Sequence, residues 1–132
     1  MGLLIDTDLL VDVERGVAAP EVEALLGEED CLISVITVSE LLHGILRAAG
    51  PVRVRRRAVV ENLLASVTAL PITETVARIH AEIWADLAGR GRLIEPHDMW
   101  IAASALAHDL GVATANRAHF ERVAGLRVVA VR

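Results

Sequence analysis

Asp98-Met99-Trp100-Ile101-Ala102-Ala103-Ser104-Ala105-Leu106-Ala107-His108-Asp109-Leu110, followed by Gly111 and then Val112-Ala113-Thr114, is the stretch whose reading decides the fold. From Asp98 to Leu110 the chain is apolar nearly all round a helical turn, which predicts a helix buried in the middle of the protein. Gly111 is the expected C-terminal cap of that helix. The short apolar run behind it reads as a strand. A buried helix leading directly into a buried strand is the pattern of a βαβ unit and a parallel sheet.

The rest of the chain extends the same alternation. Residues 2–6 read as a strand, Thr7 to Val13 and Pro20 to Leu26 as helices, and Cys31 to Val35 as a β-branched strand. The helix expected after Thr37 places Val38, Leu41, Leu42, Ile45 and Leu46 on one face at 3.6-residue spacing, and Gly50-Pro51 stops it. A helix carrying Val59, Val60, Leu63 and Leu64 follows, then a strand from Val67 to Leu70. The helix from Thr73 to Ala88 repeats Val76, Ile79, Ile83 and Leu87, and Leu126 to Val131 reads as the last strand. With right-handed crossovers these elements form an α/β fold, a three-layer α/β/α sandwich around a short, mainly parallel central sheet. Residues 1–132 are expected to make one domain, since 132 residues is near the usual domain size.

Composition removes several classes of function. All 13 basic residues are arginine, so chemistry that needs a lysine is excluded, including P-loop NTPases, Schiff-base enzymes and phosphoacceptor receiver domains. A net charge of −5 argues against a generic basic coat for nucleic acid. The aromatics are Phe120, Trp84 and Trp100, too few for a stacking platform. No apolar run reaches the ~18 residues of a membrane span. The first acid, at position 6, precedes any signal-peptide core, and Cys31 is the single cysteine, so a cytoplasmic location without disulfides is expected.

Four stretches place an acid or its amide where an expected strand gives way to a helix. They are Leu3-Leu4-Ile5-Asp6-Thr7-Asp8, Ser34-Val35-Ile36-Thr37-Val38-Ser39-Glu40, Glu95-Pro96-His97-Asp98, and Val112-Ala113-Thr114-Ala115-Asn116. Each acid also has a purely structural account. Asp6, Asp8 and Asp98 stand at possible N-cap positions, and Thr37-Val38-Ser39-Glu40 is a formal capping box. Together they say more, because ligands of an open parallel sheet bind beyond the carboxyl ends of its strands. Two carboxylates ~4 Å apart repel by about 4 kcal/mol at an effective dielectric near 20, so a fold that gathers three recovers that through a cation or a proton. Oxygen-only donors suit Mg²⁺ or Mn²⁺, and the lack of Cys/His ligand spacing disfavours structural zinc.

These motifs carry a family resemblance over essentially the whole chain. Ile5-Asp6-Thr7, Thr37-Val38-Ser39-Glu40-Leu41-Leu42-His43-Gly44, His97-Asp98-Met99-Trp100-Ile101-Ala102-Ala103 and Thr114-Ala115-Asn116-Arg117-Ala118-His119-Phe120 resemble, in order, the motifs of PIN-domain ribonucleases of the VapC type. The resemblance implies an endoribonuclease toxin of a type II toxin–antitoxin pair, hydrolysing RNA phosphodiesters with metal-activated water. It implies Asp6, Glu40, Asp98 and Asn116 as catalytic residues, with Mg²⁺, or Mn²⁺, held by Asp6, Asp98 and Glu40. Thr7 and Thr114 are expected to hydrogen-bond those carboxylates. Asn116 departs from the pattern, which often has a fourth acid there, and His119 stands where another is common. The alternative is a catalytically impaired PIN-like binding module that keeps the partner surface.

The implied partners are RNA, a VapB-like antitoxin and a second copy of the chain, with no membrane. Helices over 37–49 and 52–66 carry more Leu and Val than one face of a small sheet needs, which fits a partner surface. Arg53, Arg55, Arg56 and Arg57 crowd the start of a helix, where positive charge opposes the helix dipole. Arg53, Arg56, Arg57 and Arg117 are therefore candidate contacts for RNA or an acidic partner. His43, His80 and His108 read as surface or boundary residues, Trp84 and Trp100 as apolar packing.

Overall fold

The computed structural model describes residues 2–28 and 30–131. Among the described residues the elements run β1 (Leu3–Ile5), α1 (Thr7–Glu14), α2 (Pro20–Leu26), β2 (Cys31–Ser34), α3 (Val35–Leu46), α4 (Gly50–Ser66), β3 (Thr68–Leu70), α5 (Glu74–Gly89), α6 (Pro96–Ala107), β4 (Gly111–Thr114), α7 (Arg117–Phe120) and β5 (Val128–Ala130). The strands form one five-stranded sheet in the order β3-β2-β1-β4-β5. Every pairing is parallel, with Leu4 opposite Leu32 on one side and Val112 on the other.

The pleat divides the core into two. Leu4 and Val112 face a layer built with α5 and α6, while their neighbours Ile5 and Ala113 face one built with α1 to α4. The expected three-layer sandwich is the result. Ile101, Ala102, Ala103 and Ala105 of α6 are fully buried, as the all-round apolar pattern requires.

Local corrections follow from where the chain finds its caps. Helix α3 begins at Val35, not after Thr37, because the extended Ser34 accepts the Ile36 N–H on its Oγ at 3.0 Å. The expected capping box therefore lies inside the helix, and Thr37 is buried. Gly111 does not cap α6. Asp109 takes the left-handed turn (φ 54°), and Gly111 opens β4, where a Cβ would lie 2.8 Å from the Arg127 guanidinium carbon. Gly50-Pro51 starts α4, since α3 has already ended at Leu46. Leu46 itself is 56% exposed at the last turn of α3. His80 is buried rather than peripheral, stacked on Trp100 at 3.6 Å between ring centres. Trp84 stays more than half exposed.

Candidate active site

The sheet order itself places the site. From β1 the chain steps outward through β2 to β3, then returns to β1's other side for β4 and β5. The carboxyl ends of β1 and β4 thus border a topological switch point, where an open parallel sheet leaves a crevice. Asp6 follows β1, and Asn116 stands two residues beyond β4.

Each acid is positioned by a specific contact. Asp6, only 3% exposed, makes no capping bond to α1; its Oδ2 accepts the Thr114 hydroxyl at 2.7 Å across the β1–β4 pair. Thr114 is oriented in turn, its Oγ1 accepting the Asn116 N–H at 2.8 Å. Glu40 projects from the second turn of α3, with Oε1 accepting the Thr7 hydroxyl at 2.8 Å. The Thr7 proton being committed there, the Thr37 hydroxyl is the donor in its 2.9 Å contact with Thr7. Thr37 escaped the sequence reading because its register on α3 was taken from the wrong helix start. Asp98 is a first-turn residue of α6, with Glu95 preceding the helix, so it is not the N-cap.

Two histidines complete the arrangement, and the sequence reading gave neither a role. The His97 Nδ1 lies 3.1 Å from Glu40 Oε2, and the His119 Nδ1 lies 3.2 Å from Asp98 Oδ2. Their adjacency to Asp98 and Asn116 along the chain was the available signal. His119 Nδ1 is also 2.9 Å from the Asn116 side-chain nitrogen. A protonated Nδ1 donates to Asp98, and Asn116 then turns its amide oxygen to the ring; an unprotonated Nδ1 accepts from the amide instead.

Asp8, Glu40, Glu95, Pro96, His97, Asp98, Asn116 and His119 line a cleft of about 290 Å³ at this point. Asp6 is buried and is not one of the lining residues. Burial, reinforced by repulsion from Asp98 and Asp8, pushes the Asp6 carboxyl up to about 7 against the opposing pull of the Thr114 hydroxyl. Burial raises Asp98 as well, with Asp8 and Glu40 adding to the effect and His119 opposing it. No arginine lines the cleft. The lining is rich in carboxylate oxygen, which suits a hard divalent cation. Among the described residues no three His, Cys, Asp or Glu side chains stand close enough together to hold a metal ion as they are.

Of the four candidate RNA contacts, Arg53, Arg56 and Arg117 have other partners. Arg53 donates to the Ala48 and Leu46 carbonyls at 2.7 and 2.8 Å, capping the end of α3. Its place at the start of α4 is thereby explained, since a cation at the negative end of α3 is favourable. Arg56 pairs with Glu14 at 2.9 Å, and Arg117 pairs with Glu121. Arg57 is exposed on α4. Trp100 turns away from the cleft into an apolar groove with Trp84, Leu93 and Met99.

Comparison with known proteins agrees with this geometry. The PIN domain family model matches residues 3–126. Ribonuclease VapC1 of Rickettsia felis is 34% identical over 99% of this chain and 97% of its own length. The tRNA(fMet)-specific endonuclease VapC of Shigella flexneri is 31% identical over 94% of this chain and 93% of its own. The crystal structure of DNA-bound VapBC from Salmonella typhimurium has a chain that superposes with a TM-score of 0.89 at 28% identity, covering 98% of each chain. A switch-point cleft of carboxylates, a match along nearly the full length and relatives this similar lead to one conclusion: the chain belongs to the PIN-domain family, among the VapC ribonucleases.

Proposed function

We propose that this chain is a Mg²⁺-dependent endoribonuclease, with Mn²⁺ as a working substitute, and the toxin of a type II toxin–antitoxin pair. The observation that supports the reading is that Glu40 and Asp98 line one cleft near the β1/β4 switch point, where Asp6 follows β1, with a hydrogen-bonding side chain on each of the three acids. Asp6, Asp98 and Glu40 would hold the ion. Bound there, it would polarise a phosphoryl oxygen and make water a better nucleophile at neutral pH.

The chain's own residues do the rest. Thr114 fixes the rotamer of Asp6, and the Thr37–Thr7 relay fixes Glu40, so neither carboxylate must reorganise when substrate arrives. Glu40 is half-exposed at the cleft edge, able to orient the attacking water or take its proton. Asn116 contributes a neutral polar group to the same wall.

The relatives' names support RNA as the substrate, and the neighbouring VapBC complex supports a VapB-like antitoxin as partner. A homodimer in the cytoplasm completes the reading. Among the described residues no helix is long and apolar enough to cross a membrane. The exposed Leu46, Val52, Val54 and Val59 at the end of α3 and on α4 offer an apolar face for a protein partner.

The test is cleavage of total RNA by antitoxin-free protein, with and without Mg²⁺ or Mn²⁺, beside an Asp98→Asn control. Metal-dependent cleavage that vanishes in the variant is the expected result. Cleavage that persists in Asp98→Asn would overturn the assignment of the site. No cleavage by folded protein would favour the impaired binding module.

A further inference from the structure

The carboxylates at the cleft differ in what already holds them. Glu40 has both oxygens engaged, by Thr7 and His97. Asp98 has Oδ2 on His119, and the buried Asp6 has Oδ2 on Thr114. Asp8 stands apart. It is exposed in the first turn of α1, it lines the cleft, and among the described residues its side chain has no hydrogen-bond or ion-pair partner.

Two other residues sharpen the contrast. Glu95 also lines the cleft, but Asp8 does so from the first turn of α1, two residues along the chain from Asp6. Asn116 brings no charge to its wall, and its amide is turned to His119. The cleft therefore has a neutral position at Asn116 and an unengaged carboxylate at Asp8. An acid in the first turn of a helix gains a few tenths of a kcal/mol from the dipole. Placing it on a cleft already lined by Glu40, Glu95 and Asp98 works against that gain unless a cation joins them.

We propose that Asp8 is the fourth carboxylate of the cation site, taking the ion directly or through one of its waters and supplying the charge that Asn116 does not. The assignment rests on the metal-dependent reading above and deepens it. Asp8 thereby becomes a ligand of this particular chain's site, and the junction of β1 and α1 contributes two acids, Asp6 and Asp8.

Isothermal titration of Mn²⁺ into antitoxin-free protein tests this without any reference to activity. The proteins compared are the wild type, Asp98→Asn, Asp8→Asn, Glu95→Gln and the double variant Asp8→Asn/Asn116→Asp, each shown folded by circular dichroism in EDTA. Asp8→Asn should weaken binding by about tenfold or more, the range seen when groups supporting a metal site are removed. Glu95→Gln should stay within about twofold of wild type, and Asn116→Asp should recover most of the loss in the Asp8→Asn background. Asp8→Asn binding as tightly as wild type, while Asp98→Asn is impaired, would overturn the assignment and leave the metal reading standing. So would an equal loss in Glu95→Gln, or a loss that Asn116→Asp fails to restore. If the wild type took up no Mn²⁺, the metal reading itself would fall, and this inference with it.

Discussion

Asp6→Asn should make the metal-free protein more stable in alkali while abolishing its function. Asp6 is 3% exposed, and its carboxyl is displaced from the usual 3.8 to about 7. Between those values the folded chain binds a proton that the unfolded chain has released. The unfolded state then holds fewer protons, and stability falls as pH rises through that window. At 1.36 kcal/mol per pH unit, the displacement from 3.8 to about 7 corresponds to about 4 kcal/mol of stability missing above pH 7. Asparagine removes the charge and keeps an oxygen for the Thr114 hydroxyl, so up to about 4 kcal/mol returns at pH 8, less whatever the new amide N–H₂ lacks in acceptors. Near pH 4 the wild-type carboxyl is protonated when folded, and the gain should nearly vanish. Urea unfolding of both proteins in EDTA at pH 4.5 and pH 8 measures the difference. A gain that is absent at pH 8, or equal at both pH values, would refute the electrostatic account of Asp6. Mn²⁺ should then stabilise the wild type and not the variant.

Other residues give equally direct outcomes. Thr7→Val removes the donor to Glu40 and should lower cleavage by ~10- to 100-fold, on the ~1.5–3 kcal/mol expected for a hydrogen bond to a charged group, with Thr7→Ser restoring it. Arg53→Ala should lower the midpoint of urea unfolding by an amount worth about 1 kcal/mol without changing RNA affinity, since its guanidinium is committed to α3 carbonyls; an affinity loss in a filter-binding assay would contradict that. Ile101→Ala, at a fully buried position of α6, should cost about 2–5 kcal/mol in denaturant unfolding. Leu46→Asp and Val54→Asp, both at exposed apolar positions, should leave stability near wild type yet weaken self-association or antitoxin binding in analytical ultracentrifugation.

The elements whose signal lies within one segment were legible from the chain alone. Helices α2 and α5 and strand β3 fall where Pro20, Thr73 and the apolar periodicity put them, within a residue or two. The start of α3 was misplaced because Ser34 and Thr37 are both competent caps. In the fold Ser34 is the last paired residue of β2, opposite Leu70, and its Oγ takes the Ile36 N–H. Gly111 was misread for a similar reason. Its lack of a side chain serves the close approach of Arg127, the residue just before β5, which pairs with β4, and not the local turn.

The sequence by itself determined which residues carry charge at strand ends, that no lysine chemistry is possible, and that α6 must be buried. Those are properties of composition and local spacing, and they survive without coordinates. Tertiary structure decided what each acid touches. The Thr114 hydroxyl on Asp6 joins residues 108 apart in sequence, Thr7 on Glu40 joins residues 33 apart, and His119 on Asp98 joins residues 21 apart. It also decided that Arg53 caps a helix and that Asp8 faces the cleft. Periodicity reports which face of an element is apolar, but the direction of a polar side chain depends on strand order and register, which only the assembled sheet defines.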